Sequence, residues 1–172
     1  MKSVTQAVIL AGGLGMRLRP LTLTTPKPMI PFLGKPFLQY LIELLKANGI
    51  REVLLLVGHL HQQIEEYFGD GSKFGVTITY SYCPSEAKTG TRIRVAMPLL
   101  QQKFLLLYGD NYWPLRLIEL TQFYESMAAK ALVTIYHNRD GATKNNMRVE
   151  DGLVKVYDRK RQKKYLNGVD IG

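Results

Sequence analysis

The stretch VTQAVILAGGLG, Val4 to Gly15, places an apolar run directly before a cluster of glycines. Val4 to Leu10 is mainly apolar and contains β-branched residues, which predicts a buried strand. Glycine has no side chain and adopts left-handed dihedrals, so the backbone N–H groups of a glycine loop can approach a phosphate closely. The stretch therefore predicts a strand that leads into a phosphate-binding loop. For the glycines taken alone, a plain tight turn is the alternative.

Strands and helices alternate along the rest of the chain. Strands are predicted at Glu52–Val57, Val76–Tyr82, Phe104–Tyr108 and Ala131–Tyr136, and helices at Pro36–Asn48, Leu60–Phe68, Gly90–Leu100 and Leu115–Ala129. This alternation is typical of an α/β fold with parallel central strands. Asp151 and Gly152 separate two further segments, Met147–Glu150 and Leu153–Asp158, and predict a two-residue hairpin turn between them.

The composition indicates a globular chain with a basic surface. The 172 residues are 46% hydrophobic and 22% charged, and 23 Lys and Arg against 14 Asp and Glu give a net charge of +9. Such an excess favours an anionic partner: a phosphate, a nucleic acid or an acidic membrane surface. No apolar run approaches the roughly 20 residues that span a bilayer, and we expect no membrane insertion. Because the single Cys83 fits a reducing compartment, we expect a cytoplasmic protein.

Cations follow the glycine loop in LAGGLGMRLRPLTLTTPKPM, Leu10 to Met29. Arg17 and Arg19 come directly after the loop, and Lys27 stands between two prolines. Proline fixes its own φ and restricts the residue before it, so we expect Lys27 on a stiff, extended segment. Phosphoryl and nucleotidyl transfer need positive charge placed where negative charge builds up. The segment therefore predicts a site that binds the triphosphate of a nucleotide.

Asp110 follows the predicted strand Phe104–Tyr108 in the sequence YGDNYW. A carboxylate just past the carboxyl end of a strand in an α/β sheet faces the ligand crevice. Carboxylates together with substrate phosphates are the usual ligands of Mg²⁺. The position therefore predicts a metal ligand, and the alternative is an N-cap for the helix from Leu115 onward.

The motifs GGLGMRLRPLT and PKPM together resemble the signature of the sugar-1-phosphate nucleotidyltransferases, also called nucleotide-sugar pyrophosphorylases. The similarity continues through GKPFLQYLIELL, EVLLLVGHLHQQIEEYFGDG and LLLYGDNYW, and so covers essentially the whole chain. It implies a three-layer αβα sandwich around a Rossmann-like, mixed but mainly parallel sheet. It also implies that residues 1–172 form one nucleotidyltransferase domain that is incomplete at its C-terminal end.

Such enzymes join a nucleoside triphosphate to a sugar 1-phosphate, release pyrophosphate and form an NDP-sugar, with Mg²⁺ as the cofactor. The resemblance thus implies a cytoplasmic transferase whose product, such as GDP-mannose, feeds cell-surface polysaccharide synthesis. Its partners would be the two small-molecule substrates, with no nucleic acid, and the resemblance leaves a homo-oligomer open. Two other hypotheses compete with it: a nucleotide-binding or regulatory homologue without turnover, and a nucleic-acid binder.

The resemblance also implies roles for individual residues. Backbone groups near the base and ribose would come from Leu10, Ala11, Gly12, Gly13 and Gly90, and the triphosphate would be held by Gly15, Arg17 and Lys27, with Asp110 on magnesium. Lys160 matches a lysine that contacts the sugar phosphate, although membership of the solvated basic run RKRQKK is the alternative. Asn146 is a further candidate for a sugar contact. The three histidines, by contrast, are expected to be surface or internally satisfied residues.

The chain departs from the family pattern at several positions. Met16 replaces a Thr or Ser of the loop, and Arg92 puts a large cation where a small residue lets a helix pack closely. The polar side chain that contacts the base could be Ser85 or Glu86, so the sequence does not identify the nucleobase. The second carboxylate on magnesium lies, in the family, beyond the segment that ends here as YLNGVDIG, and Asp170 is not at its position.

Overall fold

The computed structural model describes residues 4–114, 116–127 and 129–171. These residues divide into two compact units, one up to Ser126 and the other from Met127 onward. The strands and helices of the first unit are β1 (Gln6–Leu10), β2 (Pro31–Phe32), β3 (Lys35–Pro36), α1 (Phe37–Ala47), β4 (Glu52–Val57), α2 (His61–Phe68), β5 (Thr77–Tyr82), α3 (Thr89–Ala96), β6 (Phe104–Tyr108) and α4 (Leu117–Ser126). Those of the second unit are β7 (Ile135–Tyr136), β8 (Met147–Glu150), β9 (Leu153–Tyr157) and β10 (Val169–Asp170).

The first unit contains a four-stranded sheet in the order β5-β4-β1-β6, and all of its neighbouring strands are parallel. Since the carboxyl ends of parallel strands share one edge, the residues after β1, β4, β5 and β6 are brought together there. The strand β1 lies in the middle, and its Leu10 pairs with Leu56 of β4 and Tyr108 of β6. The loop after β1 is therefore flanked on both sides by strand ends.

Helices cover both faces of this sheet. Buried side chains of α1, α2 and α4 pack on one face, against residues such as Ala7 and Ile9 of β1. On the other face, Ala96 of α3 packs with Val8 and with two leucines of β4. Successive residues of a strand point to opposite faces, which explains why β1 and β4 are apolar at every position after their first residues, Gln6 and Glu52. The predicted α/β class and its three-layer arrangement are confirmed.

Strands β4 and β6 have the predicted bounds, and the hairpin of β8 and β9 forms around Asp151 and Gly152. Both turn residues have positive φ, at 52° and 71°, as a two-residue turn of this type requires. The predicted strand 131–136 was too long, because β7 pairs only with the two residues of β10. The helix predicted at 90–100 ends at Ala96 and gives way to a 3₁₀ turn at Met97–Leu99, which contains Pro98.

Among the described residues, no helix is long and apolar enough to cross a membrane. The prediction that residues 1–172 form one domain stays a prediction.

Candidate functional site

The segment Gly12–Arg17 after β1, called the glycine turn below, has a run of unpaired backbone donors. Within the described part of the chain, no acceptor pairs with the N–H groups from Gly12 to Arg17. Gly15 adopts φ 60° at the start of the 3₁₀ turn Met16–Leu18, a conformation that favours glycine. Gly13 is exposed, and a side chain added there would meet nothing within 4 Å. Successive N–H groups of this kind form a concave site for an anion.

Gly12 is tightly packed, unlike Gly13. An added Cβ would lie 2.7 Å from the backbone carbon of Val57, the last residue of β4. The carbonyl of Gly12 accepts hydrogen bonds from the backbone N–H of His59 and from the side chain of Arg92. The backbone groups of Leu10 and Ala11 are also partly used, since the Leu10 carbonyl accepts from Gly109 and the Ala11 N–H donates to Leu56. Gly12 therefore has a packing role, and nucleotide contacts by these three residues stay predictions.

Lys27 lies next to this turn, in a conformation that differs from the predicted one. It begins a 3₁₀ turn, Lys27–Met29, in place of an extended segment. Proline is tolerated in the first turn of a helix, where its missing N–H leaves no acceptor unpaired, so Pro28 fits inside this turn. A Cβ added to Gly15 would lie 3.2 Å from the Cβ of Lys27, which places the lysine beside the glycine turn.

The Lys27 ammonium donates a hydrogen bond to the carboxylate of Asp110, and the two side chains form an ion pair. Asp110 follows β6, and β6 neighbours β1, so the pair lies at the carboxyl edge of the sheet beside the glycine turn. Asp110 is not the N-cap of the next helix, because α4 begins only at Leu117, whose N–H donates to the side chain of Asn48. Asp110 thus lies at the carboxyl edge of the sheet, and its role as a metal ligand stays a prediction.

Asp110 is a suitable ligand for Mg²⁺ when substrate phosphates supply further oxygens. Its side chain is 39% exposed, and Mg²⁺ is commonly bound by one or two carboxylates together with phosphates and water. No group of three or more His, Cys, Asp or Glu residues able to hold a metal occurs among the described residues. The Asp110 carboxylate therefore fits a cation that is also bound by phosphate oxygens.

Contacts that no sequence pattern indicates hold the loop between Gly15 and Lys27 in place. The Thr22 hydroxyl, which is buried, donates to the carbonyl of Gly15 over 3.0 Å. The imidazole of His59 donates from Nε2 to the Thr22 carbonyl over 2.8 Å, and Gln63 donates to the carbonyl of Thr24. The interpretation of His59 as an internally satisfied residue agrees with this contact. No local pattern marks the contact, since it arises from the adjacency of β1 and β4.

Arg17 and Gly90 occupy exposed positions in the first unit. Arg17 lies in the turn Met16–Leu18, and its guanidinium makes no hydrogen bond or ion pair to the described residues. Gly90 lies in the first turn of α3, and an added Cβ would meet nothing within 4 Å. Both are therefore accessible to a ligand, and their roles stay predictions.

Arg92, expected to disturb the packing of its helix, is buried and hydrogen-bonded instead. Its side chain reaches the carboxyl ends of β1 and β4, and α3 packs on the sheet through Ala96. Burial lowers the pKa of the Arg92 guanidinium, which still remains charged at ordinary pH. Its contacts include the carbonyl of Ser85, so the backbone of that residue is held to α3 by Arg92.

Asn146 and Lys160 belong to the second unit. Asn146 is 8% exposed, and its side-chain oxygen accepts a hydrogen bond from the backbone N–H of Asp170. Lys160 is exposed, and its backbone N–H donates to the carboxylate of Asp158. Asn146 thus has a structural role in its own unit, and sugar contacts by either residue stay predictions.

Comparison with known families identifies what this arrangement is similar to. A family model described as "Nucleotidyl transferase" matches residues 6–161. The chain is 36% identical over 140 residues to a UTP--glucose-1-phosphate uridylyltransferase from Synechocystis, covering 74% of this chain and 36% of that protein. It is 39% identical over 115 residues to a D-glycero-alpha-D-manno-heptose 1-phosphate guanylyltransferase from Campylobacter jejuni, covering 67% of this chain and 52% of the relative.

A solved structure shares the fold. HddC from Yersinia pseudotuberculosis, complexed with GMP-PN, superposes with a TM-score of 0.80 at 23% identity, covering 98% of this chain and 75% of that one. The chain spans between about a third and about half of the length of these two curated relatives.

Proposed function

The chain belongs to the nucleotidyl transferase family, and on this basis we propose that it transfers a nucleoside monophosphate from an NTP to a sugar 1-phosphate. The products are pyrophosphate and an NDP-sugar for polysaccharide synthesis. The observation that carries this proposal is the run of unpaired N–H groups from Gly12 to Arg17, which lies beside Lys27. A cytoplasmic location, favoured by the single cysteine, is part of the proposal.

The glycine turn binds the triphosphate in this mechanism. Backbone donors that are already oriented toward an anion lose little entropy when it binds, and they carry a fixed partial positive charge. Gly13 lets the phosphates approach the backbone, because no side chain stands in the way. The guanidinium of Arg17, which pairs with nothing in the described residues, is available to the phosphates that leave as pyrophosphate.

Lys27 and Asp110 act on the reacting phosphate. When the NTP binds, Lys27 exchanges the Asp110 carboxylate for oxygens of the α-phosphate. An oxygen of the sugar phosphate then attacks the α-phosphorus, and the bond from that phosphorus to the β-phosphate oxygen breaks as pyrophosphate leaves. Lys27 stabilises the negative charge that builds up on the transferring group.

Enzymes of this family typically use a divalent metal, and we propose Mg²⁺. When bound, the ion would supply positive charge to the phosphates, and Asp110 would be its protein ligand. Asp110 is released for this purpose once Lys27 has moved to the α-phosphate. Asn146 and Lys160 are proposed contacts to the sugar 1-phosphate.

Isothermal titration of the 172-residue chain with GTP, dTTP, UTP, CTP and ATP, each with magnesium, tests the proposal. A pyrophosphate-release assay with mannose 1-phosphate and glucose 1-phosphate follows. Binding together with release supports the transferase and identifies its base. Binding without release favours a nucleotide-binding homologue that lacks turnover, and absence of binding to all five nucleotides overturns the proposed role of the glycine turn.

A further inference from the structure

Arg92 makes an unusual set of hydrogen bonds for a helical arginine. Its side chain donates to five backbone carbonyls, and the residue is only 4% exposed. The acceptors and their distances are Val57 (2.9 Å), Gly12 (2.9 Å), Pro84 (2.9 Å), Ser85 (3.1 Å) and Ala87 (3.1 Å). No carboxylate among the described residues forms an ion pair with it. The charge is therefore compensated mainly by carbonyl dipoles, and Glu86 adds a Coulombic contribution without forming an ion pair.

These carbonyls come from different parts of the carboxyl edge of the sheet. Gly12 belongs to the glycine turn after β1, and Val57 is the last residue of β4. The remaining acceptors lie in residues 84–87, between β5 and the first turn of α3 that contains Gly90. One side chain thus connects the proposed phosphate loop to the segment that leads to Gly90. The planar guanidinium has its donors in a fixed fork, so it constrains both the spacing and the orientation of these segments.

The surrounding glycines leave the space that this side chain fills. A Cβ added to Gly12 would lie 2.1 Å from Nη1 of Arg92, and one added to Gly58 would lie 2.9 Å from the same atom. Such distances are far below van der Waals contact. Gly12 and Gly58 must therefore lack side chains for Arg92 to occupy this position. The guanidinium lies directly behind the backbone of the glycine turn.

The position of Arg92 also matters for charge. Carbonyl groups at the carboxyl ends of parallel strands carry partial negative charge at the edge where the phosphates would bind. The guanidinium donates to two of those carbonyls, and it adds a positive charge where water cannot screen it fully. Both effects favour an anion on the other side of the turn.

We propose that Arg92 is a positioning residue for nucleotide binding, which rests on the proposed function. It does not touch the nucleotide. It holds the glycine turn and residues 84–87 at a fixed separation, and it lowers the electrostatic cost of bringing a triphosphate to that turn. From sequence alone, this arginine is a departure from the family pattern at a position where a small residue lets the helix pack closely, whereas its contacts assign it a supporting role behind the glycine turn.

The test compares Arg92→Lys and Arg92→Ala with matched substitutions of Arg94, an exposed arginine of the same helix. Titration calorimetry measures the affinity for whichever of the five NTPs the wild-type chain binds, and thermal unfolding checks that each variant is folded. We expect Arg92→Lys to weaken NTP binding about tenfold and Arg92→Ala about a hundredfold, since hydrogen bonds from a charged donor are lost. Arg94→Lys and Arg94→Ala should bind within about twofold of wild type, because exposed substitutions have small effects.

Chemical rescue separates positioning from general loss of structure. Methylguanidinium at millimolar concentration should restore much of the affinity of Arg92→Ala, because it can enter the vacated space and donate to the same carbonyls. Methylammonium at the same concentration should not, since it lacks the planar fork. Steady-state kinetics should show a raised KM for the NTP with little change in the KM for the sugar 1-phosphate.

The outcomes are distinguishable. If Arg92→Lys and Arg92→Ala are folded and bind the NTP with wild-type affinity, the inference about Arg92 is overturned and the proposed function is unaffected. Equal rescue by methylguanidinium and methylammonium has the same consequence. If Arg92→Ala does not fold, an unaltered affinity of Arg92→Lys is sufficient to overturn it. Absence of NTP binding by the wild-type chain overturns the proposed function, and this inference with it.

Discussion

Lys27 and Asp110, which lie 83 positions apart in the sequence, pair with each other at the carboxyl edge of the parallel sheet. The resemblance to the nucleotidyltransferases implies different partners for them, the nucleotide phosphates for Lys27 and a metal ion for Asp110. In the structure each compensates the charge of the other. A phosphate ligand must therefore compete with a carboxylate for Lys27, and a metal ion must compete with an ammonium for Asp110.

Asp110→Asn separates these two effects. In the presence of a chelator, the variant should bind the NTP up to about fivefold more tightly than wild type, because a partly exposed ion pair is worth about 1 kcal/mol or less. In the presence of magnesium, the metal dependence of binding should become weaker. Calorimetry in EDTA and a magnesium titration measure the two quantities. An unaltered magnesium titration would show that the carboxylate is structural.

Arg17→Ala and Lys27→Ala should each lower turnover by about tenfold to a thousandfold, which is the usual cost of removing one oriented donor from a developing charge. Lys73→Ala, at an exposed position in another part of the first unit, is the matched control and should retain activity. Initial rates of pyrophosphate release give the comparison. If either variant kept wild-type turnover, the residue that it replaces would have no role in the mechanism.

Gly12 and Gly13 should respond differently to alanine. Gly12→Ala brings a Cβ into Arg92 and Val57 and should lower the free energy of unfolding by about 1–3 kcal/mol, as overpacking does. Gly13→Ala meets nothing within 4 Å and should change stability by less than about 0.5 kcal/mol. It should nevertheless weaken NTP binding, because the methyl group stands between the backbone and the phosphates. Urea unfolding and calorimetry test both statements, and unchanged affinity in Gly13→Ala would contradict the close approach of the phosphates.

Gly90→Ala should stabilise the protein and weaken nucleotide binding at the same time. Alanine is favoured over glycine in a helix by about 1 kcal/mol, and the position has open space for a methyl group. The same methyl group would obstruct a base that packs against this turn. A higher melting temperature with weaker NTP affinity is the expected pair of results. A stabilised variant that binds the NTP normally would place the base elsewhere.

The basic segment Arg159–Lys164 of the second unit should become less stable in acid, because the Asp158 carboxylate that holds it becomes protonated. Backbone N–H groups of Lys163, Gln162 and Lys160 donate to its carboxylate, and they lower the pKa of this group below its ordinary value of 3.8. A lowered pKa in the folded state contributes stability above pH 3.8 that is lost as the pH falls through the lower, folded-state pKa. NMR titration of the Asp158 carboxyl measures the shift directly. In Asp158→Asn the stability of the segment should no longer change across this pH range, and a normal pKa in the wild type would refute the expectation.

Local pattern was sufficient for several features of this protein. The apolar runs within Glu52–Val57 and Phe104–Tyr108 predicted strands with the observed bounds, because strands covered on both faces are apolar at almost every position. The pair Asp151 and Gly152 predicted the hairpin, since few residues accept positive φ. The glycine turn and the cations after it predicted a phosphate site for similarly local reasons.

Only the tertiary structure decided which of these residues meet. The pairing of Lys27 with Asp110 depends on the adjacency of β1 and β6, and the bond from His59 to Thr22 depends on that of β1 and β4. The order of strands in a parallel sheet is set by packing over the whole unit, and no local periodicity encodes it. For the same reason the sequence could show that Arg92 was a large cation in a helix, but its carbonyl partners became known only when three strand ends were placed side by side.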